Sequence, residues 1–381
     1  MFFLVSIFWL SFLLLFWTFL GYPIFVITAS KVFSRRWRTS PFLGSISMII
    51  AAHNEEKVIR DKVENCLALD FGPAKAEIFI VSDGSMDDTN TILEEFIGKS
   101  EQLKVITYQP RAGKANAINV AASKTQGEVL VFSDANVMIS EKSCQSLLAP
   151  FADPEVGVVC GRVLVIADGD EEVAGESLYM KYEGAVQRAE ALMYSMVGVD
   201  GALFAMRREF FRPLELETIL DDFSLSMSAL LSGKRIVYEK QAIAVEKVIP
   251  SAQNEMKRKT RIVSGGYQYL VNLFRQGKKL SVWMWFCFLS HKILRWAAPF
   301  LLSFVLLVNL LLFSLEFFRV LLFCQLCFYF LALLGHILKG LRRINVVYLP
   351  YYFCIVNIAA FLGFVQFLRT GETVLWEKVK R

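Results

Sequence analysis

The chain has 381 residues, 55% of them hydrophobic and 14% aromatic, and a formal net charge of +5. A mean hydropathy of +0.45 excludes an ordinary soluble globule, and the apolar excess lies at the two ends of the chain. The basic residues cluster beside the apolar runs and not in a patch of their own, which argues against a nucleic-acid partner.

Residues 1–27 form an apolar run long enough to cross a bilayer core as a helix. Lys31, Arg35, Arg36 and Arg38 follow it, and basic flanks mark the cytoplasmic side. The run has no basic n-region and exceeds the usual apolar core of a signal peptide. Residues 1–30 are therefore expected to be an uncleaved transmembrane helix in the cell (inner) membrane, with the following segment in the cytosol.

Residues 45–280 read as one domain. Strands are predicted at 45–51, 77–81, 104–107 and 128–133, with helices at 55–68, 89–97 and 114–123. Such alternation specifies right-handed βαβ units in a mostly parallel sheet covered on both faces. Sheets of this kind bind ligands beyond the carboxyl ends of their strands. That rule selects three polar clusters: His53-Asn54-Glu55, Asp83-Gly84-Ser85 and Asp134-Ala135-Asn136. Beyond Asp134 the pattern loosens. Strands are expected at 156–165, a long helix carrying Glu183 and Glu190 at 176–195, a glycine turn and strand at 198–206, a helix at 223–231 and a short strand at 236–238.

Residues 282–296 carry Trp283, Trp285, His291, Lys292, Arg295 and Trp296 among apolar residues, the composition of a helix lying in the interface plane. Three spans follow at 297–315, 320–338 and 346–368, within a C-terminal membrane region of 297–368, and a basic tail occupies 369–381. An even number of spans puts that tail outside, against the positive-inside rule. A re-entrant segment at Pro350, or spanning by 282–296, would restore agreement. Cys324 and Cys327 have redox spacing but lack a second pair, so packing inside a helix is expected of them. The three histidines are too dispersed for a zinc site.

Each polar cluster has a structural and a chemical reading. Asp83 can accept hydrogen bonds from a nucleoside, or close a capped turn. Arg111-Ala112-Gly113-Lys114 places a cation before a helix, which suits a diphosphate. Asp134 and Asn136 share a face of an extended segment and offer the oxygen ligands that hard divalent cations prefer; an Asx turn is the alternative. Asp221-Asp222 opens a helix, where acids complement the dipole or where one can act as a general base.

Taken together, these stretches resemble the inverting GT-A glycosyltransferases of family 2, especially membrane-bound synthases of cellulose, hyaluronan, chitin oligomers and poly-N-acetylglucosamine. The matching stretches are Ala52-His53-Asn54-Glu55-Glu56, Val81-Ser82-Asp83-Gly84-Ser85, Gly113-Lys114-Ala115-Asn116-Ala117-Ile118-Asn119, Asp134-Ala135-Asn136, Gly201 with Arg207-Arg208, Asp221-Asp222 and residues 258–262. The resemblance implies an α/β GT-A (Rossmann-like) cytosolic domain over 45–280, joined to α-helical transmembrane segments. It implies that His53, Glu55, Asp83, Lys114, Asp134, Arg258 and Arg261 bind the donor, and that Gly201 lies at the acceptor. It makes Asp134 and Asn136 the ligands of Mg²⁺ or Mn²⁺, and Asp222, with Asp221 beside it, the catalytic base. Asn136 stands where the family has a second acid, Asp221 replaces Glu, Arg258 replaces Gln and Ile262 replaces Trp.

The implied reaction moves a sugar from a nucleotide-diphosphate sugar, with UDP as the expected carrier, to a polysaccharide or lipid-linked acceptor at the bilayer. A secretion partner or a second copy of the chain fits the same reading. Single-sugar transfer to a membrane lipid, and a non-enzymatic nucleotide-binding scaffold, are the alternatives.

Overall fold

A computed structural model describes residues 1–166, 172–247 and 252–370. The chain enters through α1 (Phe2–Phe16) and α2 (Tyr22–Val32), joined without a break by a π-turn at Trp17–Gly21. The sheet then begins. β1 (Ser45–Ala52), α3 (Ile59–Leu67), β2 (Lys75–Asp83), α4 (Thr89–Glu94), β3 (Leu103–Tyr108), α5 (Lys114–Lys124) and β4 (Val129–Ser133) follow in strict alternation. β5 (Val137–Ile139), α6 (Ser143–Leu148), β6 (Val156–Ile166), α7 (Glu172–Met193), β7 (Leu203–Arg207), α8 (Asp221–Leu231) and β8 (Arg235–Lys247) complete the domain. α9 (Ala252–Arg275) leads to α10 (Val282–Phe288), α11 (Leu294–Leu311), α12 (Glu316–Ile337) and α13 (Asn345–Thr370).

The eight strands lie in the order β3-β2-β1-β4-β7-β6-β8-β5. β1 to β4 pair in parallel, as the alternating pattern predicts. β7 runs antiparallel to both its neighbours, β4 and β6, and β5 runs antiparallel to β8 at the edge. The sheet is therefore mixed. The expected strand at 236–238 is only the start of β8, whose middle carries the exposed polar residues Lys240 and Gln241 and so lacks an apolar signature.

Alternating residues feed two cores, as strand geometry requires. Ile46, Met48 and Ile50 face one side, with Ile59 and Val63 of α3 and Leu147 of α6. Ile49, Phe79, Leu130 and Phe132 face the other, under the small residues Ala115, Ala117 and Ala121 of α5. This second core runs on through Phe223 and Leu273 to Met284, Phe288 and Trp296. Each such side chain contributes roughly 1.5–3 kcal/mol by leaving water, so the sheet and the helices of the chain's end share one apolar interior.

Among the described residues, four helices are long and apolar enough to cross a membrane: Phe2–Val32, Val282–Leu311, Glu316–Ile337 and Asn345–Arg369. Residues 282–296 do not form a separate helix, because α10 continues into α11 through a π-turn at Leu289–Ile293. Several of its polar residues have partners within the protein. His291 is fully buried, and with Lys292 and Arg295 it meets Glu183 of α7 at 3.0, 3.1 and 2.6 Å. His291 also lies 2.8 Å from Glu190, which accepts a hydrogen bond from the Tyr22 hydroxyl of α2. Burial alone would raise the Glu183 pKa, but the neighbouring Arg295, His291 and Lys292 hold it well below the usual carboxylate range. Cys324 and Cys327 are exposed on α12 and not packed inside. Lys378, Lys380 and Arg381 of the basic tail lie outside the described residues.

Candidate active site

The strand ends of β1 and β2 are tied to each other. His53 donates from Nδ1 to the Asp83 carbonyl at 2.7 Å. Asn54, at φ 53°, accepts from the Met86 amide at 2.8 Å and donates its own amide to Ser85 Oγ at 3.1 Å. The Glu55 amide donates to Thr89 Oγ1 at 2.8 Å. Asp83 is buried, and its two oxygens accept from the amides of Ala112 and Gly113 at 2.7 and 2.8 Å. This loop lies so close to Gly84, itself at φ +60°, that a Cβ there would sit 2.5 Å from the Arg111 amide nitrogen. Only glycine permits both the conformation and the approach.

The loop delivers Lys114 to the start of α5. Its ammonium lies 2.9 Å from Asp134 and 3.0 Å from Asp221. Burial would lower its pKa, but the carboxylates of Asp134 and Asp221 raise it above the ordinary value, so the group stays charged. A fixed cation between strand ends is a ready counter-charge for a diphosphate.

Beneath the Asp134 turn lies Lys62 of α3, fully buried, which donates to Ser133 Oγ at 2.8 Å and to the Val137 carbonyl. Ser133 in turn donates to the Ala202 carbonyl at 3.1 Å, tying β4 to the start of β7. Asn136 donates from Nδ2 to Glu246 of β8 at 3.0 Å. A carboxylate from another strand thus stands beside the position where the family pattern has its second acid. Asp134, Asn136 and Glu246 carry oxygen donors of the kind a hard divalent cation takes, so their chemistry fits such an ion. No preassembled group of three or more His, Cys, Asp or Glu ligands occurs among the described residues.

Asp221 and Asp222 occupy the first turn of α8. Asp221 is committed to Lys114. Asp222 accepts from the Phe223 amide at 2.7 Å, and its other oxygen would lie 2.6 Å from a Cβ at position 201. Gly201 is what admits the carboxylate. Burial, then the neighbouring charge of Asp221, pushes the Asp222 pKa up to about 7. A carboxylate poised there can both hold and release a proton near neutral pH.

The structure thus brings Lys114, Asp134, Asp221, Asp222 and Gly201 together. His53, Glu55 and Asp83 gather at the adjoining strand ends. Arg258 pairs with Glu255 along its own helix at 2.8 Å, and Arg261 lies one turn further on α9, which packs along α13. Sequence reasoning passed over Lys62, Gln187, Asp200 and Glu246. Gln187 donates to Asp200 at 3.1 Å, and Asp200 directly precedes Gly201. None of the four lies in a motif; only the buried charge of Lys62 in an amphipathic helix was a signal.

An α/β sheet of this order, with acids at the ends of β4 and the start of α8, defines a GT-A glycosyltransferase domain. Residues 47–214 match the family model described as glycosyl transferase family 2. The chain is 25% identical over 249 residues to the poly-β-1,6-N-acetyl-D-glucosamine synthase of Staphylococcus epidermidis, covering 63% of this chain and 59% of that one. It is also 25% identical over 239 residues to the enzyme of the same name from Staphylococcus aureus strain COL, covering 61% and 57%. The chain thus spans less than two thirds of the length of these curated relatives. Among solved structures, the mannosyltransferase PcManGT from Pyrobaculum calidifontis superposes with a TM-score of 0.73 at 17% identity, over 96% of this chain and 100% of that one. That likeness extends the shared fold to the helical region. Residues 47–214 thus carry a glycosyltransferase family 2 domain, in a chain whose described residues include four helices long and apolar enough to cross a membrane.

Proposed function

We propose that this enzyme transfers a sugar from a UDP-sugar to a growing polysaccharide at the membrane, by a single inverting displacement with Asp222 as base. The observation that carries the reading is Asp222 itself: a buried carboxylate with its pKa near 7, set against Gly201 and one residue from the Lys114 cluster. The names of the staphylococcal relatives point to N-acetylglucosamine as the sugar.

In the proposed step Asp222 accepts the proton of the acceptor hydroxyl as its oxygen bonds to the donor's anomeric carbon. The bond from that carbon to the diphosphate breaks, and its electron pair leaves with the nucleotide. Attack from the face opposite the leaving group inverts the centre. His53, Glu55 and Asp83 hold the nucleoside end, directly or through the loop that Asp83 ties down. Lys114 meets the diphosphate. A divalent cation held by Asp134 and Asn136 would offset charge on the leaving group; the archaeal structure of the same fold was solved with GDP-Man and Mn²⁺. Arg258 and Arg261 approach the donor phosphates from α9. The domain faces the cytosol, where nucleotide sugars are made, and the helices lie in the inner membrane.

Ile262 and Arg258, in place of the family's Trp and Gln, favour a second reading in which one sugar is added per encounter with a lipid-linked acceptor. Incubating the purified protein with a panel of nucleotide sugars tests both. Nucleoside-diphosphate release from a UDP-sugar, with a lengthening polymer, is expected. Single additions would select the second reading, and no release from any donor by folded protein would overturn both.

A further inference from the structure

We propose that the cavity between α7, β6 and β8 is the subsite for the acceptor's terminal sugar, and that Gln187 and Asp200 read its hydroxyls. The proposal rests on the glycosyl-transfer reading above and adds to it where the acceptor sits and what selects it.

The cavity measures about 90 Å³ and is lined by Gly161, Glu183, Gly184, Gln187, Asp200 and Tyr238, among others. It adjoins the transfer chemistry through one peptide. Asp200 lines this cavity, whereas Gly201, the next residue, lines a small cleft on the other side with Lys114, Asp134 and Asp221. The Asp222 carboxylate lies against Gly201. Asp200 therefore stands one residue from the glycine that seats the Asp222 carboxylate.

The lining chemistry selects a sugar. Gln187 is 3% exposed and donates to Asp200 at 3.1 Å. A carboxylate has about four lone-pair sites, so Asp200 can hold Gln187 and still accept from sugar hydroxyls. Tyr238 supplies an aromatic ring for the apolar face of a pyranose. Arg162 and Lys181 also border the cavity.

α7 is held rigidly enough for such a role. Glu183 is fixed by Arg295 at 2.6 Å and Lys292 at 3.1 Å, which anchors the helix to α11 and its π-turn. Glu183 also borders the cavity, and its ion pairs give it a positioning role.

The test is calorimetric binding of a β-1,6-linked N-acetylglucosamine oligosaccharide to the full chain in lipid nanodiscs. Wild type is compared with Gln187→Leu and with Gly184→Val, which fills the cavity towards Tyr238. Both variants should bind the oligosaccharide at least about tenfold more weakly, the loss of one or two hydrogen bonds to a charged network, while UDP affinity stays within twofold. Retained UDP affinity shows that each variant is folded. Undiminished oligosaccharide binding in both variants, or none by wild type, overturns the subsite. UDP-sugar turnover is measured separately. Absence of turnover with intact, variant-sensitive oligosaccharide binding would count against the transfer reading and for the subsite.

Discussion

The two halves of the sheet follow different rules. From β1 to β4 the strands are parallel, the helices alternate with them, and the ends of β1, β2 and β4 carry polar clusters. From β5 to β8 the strands change direction three times, and the polar residues come from loops, from the end of β8 and from α7. The regular half holds groups suited to a nucleotide, a ligand with fixed parts. The irregular half, fastened to the membrane helices through Glu183 and Glu190, holds groups suited to an acceptor. Asp222 stands where they meet. The lesson is that a common α/β frame can keep one substrate site constant while its return strands are reshaped for another.

Four perturbations would break or sharpen that division. The largest effect is expected from Asp222→Asn, which removes the proposed base. Its kcat should fall by about 10²–10⁴-fold, with donor affinity within a few-fold by calorimetry. Asp221→Asn, which breaks the contact with Lys114, should be milder. The opposite ranking would place the base one residue earlier.

Lys114→Met strikes the regular half. It deletes the cation between Asp134 and Asp221, and donor affinity should fall roughly 10–100-fold, the loss of one strong charged contact. Acceptor binding should be unchanged; an equal loss on both sides would erase the proposed separation.

The pH profile should show a smaller, graded effect. Asp222 has a raised pKa of about 7, so it is protonated and inactive as a base below that pH, and ionised above it. The rate should rise with pH through about 7 and then level off, and this rise should vanish from the residual activity of Asp222→Asn. A flat profile in wild type between pH 5 and 8 would remove the base role.

The smallest change is expected at the join of the halves. Asn136→Asp sets a second carboxylate beside Glu246, 3.0 Å from the present amide nitrogen. Like charges so close repel unless a cation lies between them. The variant should melt a few degrees lower without divalent ions and recover with Mn²⁺, and it should need less ion for half-maximal activity. No ion dependence of its melting temperature would show that the pair does not take a metal.

How much was legible follows the same divide. Where strand and helix alternate, residue pattern alone located β1 to β4, and the rule about carboxyl ends picked His53, Asp83 and Asp134. Asp221 and Asp222 were visible as paired acids at a helix start. The irregular half hid its parts for physical reasons. β5 is three residues long, too short for a period to show. Gln187 meets Asp200 only because α7 folds back against the turn before β7, and Asn136 meets Glu246 only through antiparallel pairing of β5 with β8. The basic residues of 282–296 looked like an interfacial signature, because their partners Glu183 and Glu190 lie a hundred residues away in sequence.

The central claim, one displacement driven by Asp222 across the junction of the halves, is tested most directly by the anomeric configuration of the product. Proton NMR of oligosaccharide extended from UDP-α-N-acetylglucosamine reads it from the coupling constant of the new anomeric proton. The account predicts a large coupling and a β-linkage, the inverted configuration. A small coupling and an α-linkage would mean retention, and would contradict a mechanism with a single base and a single attack.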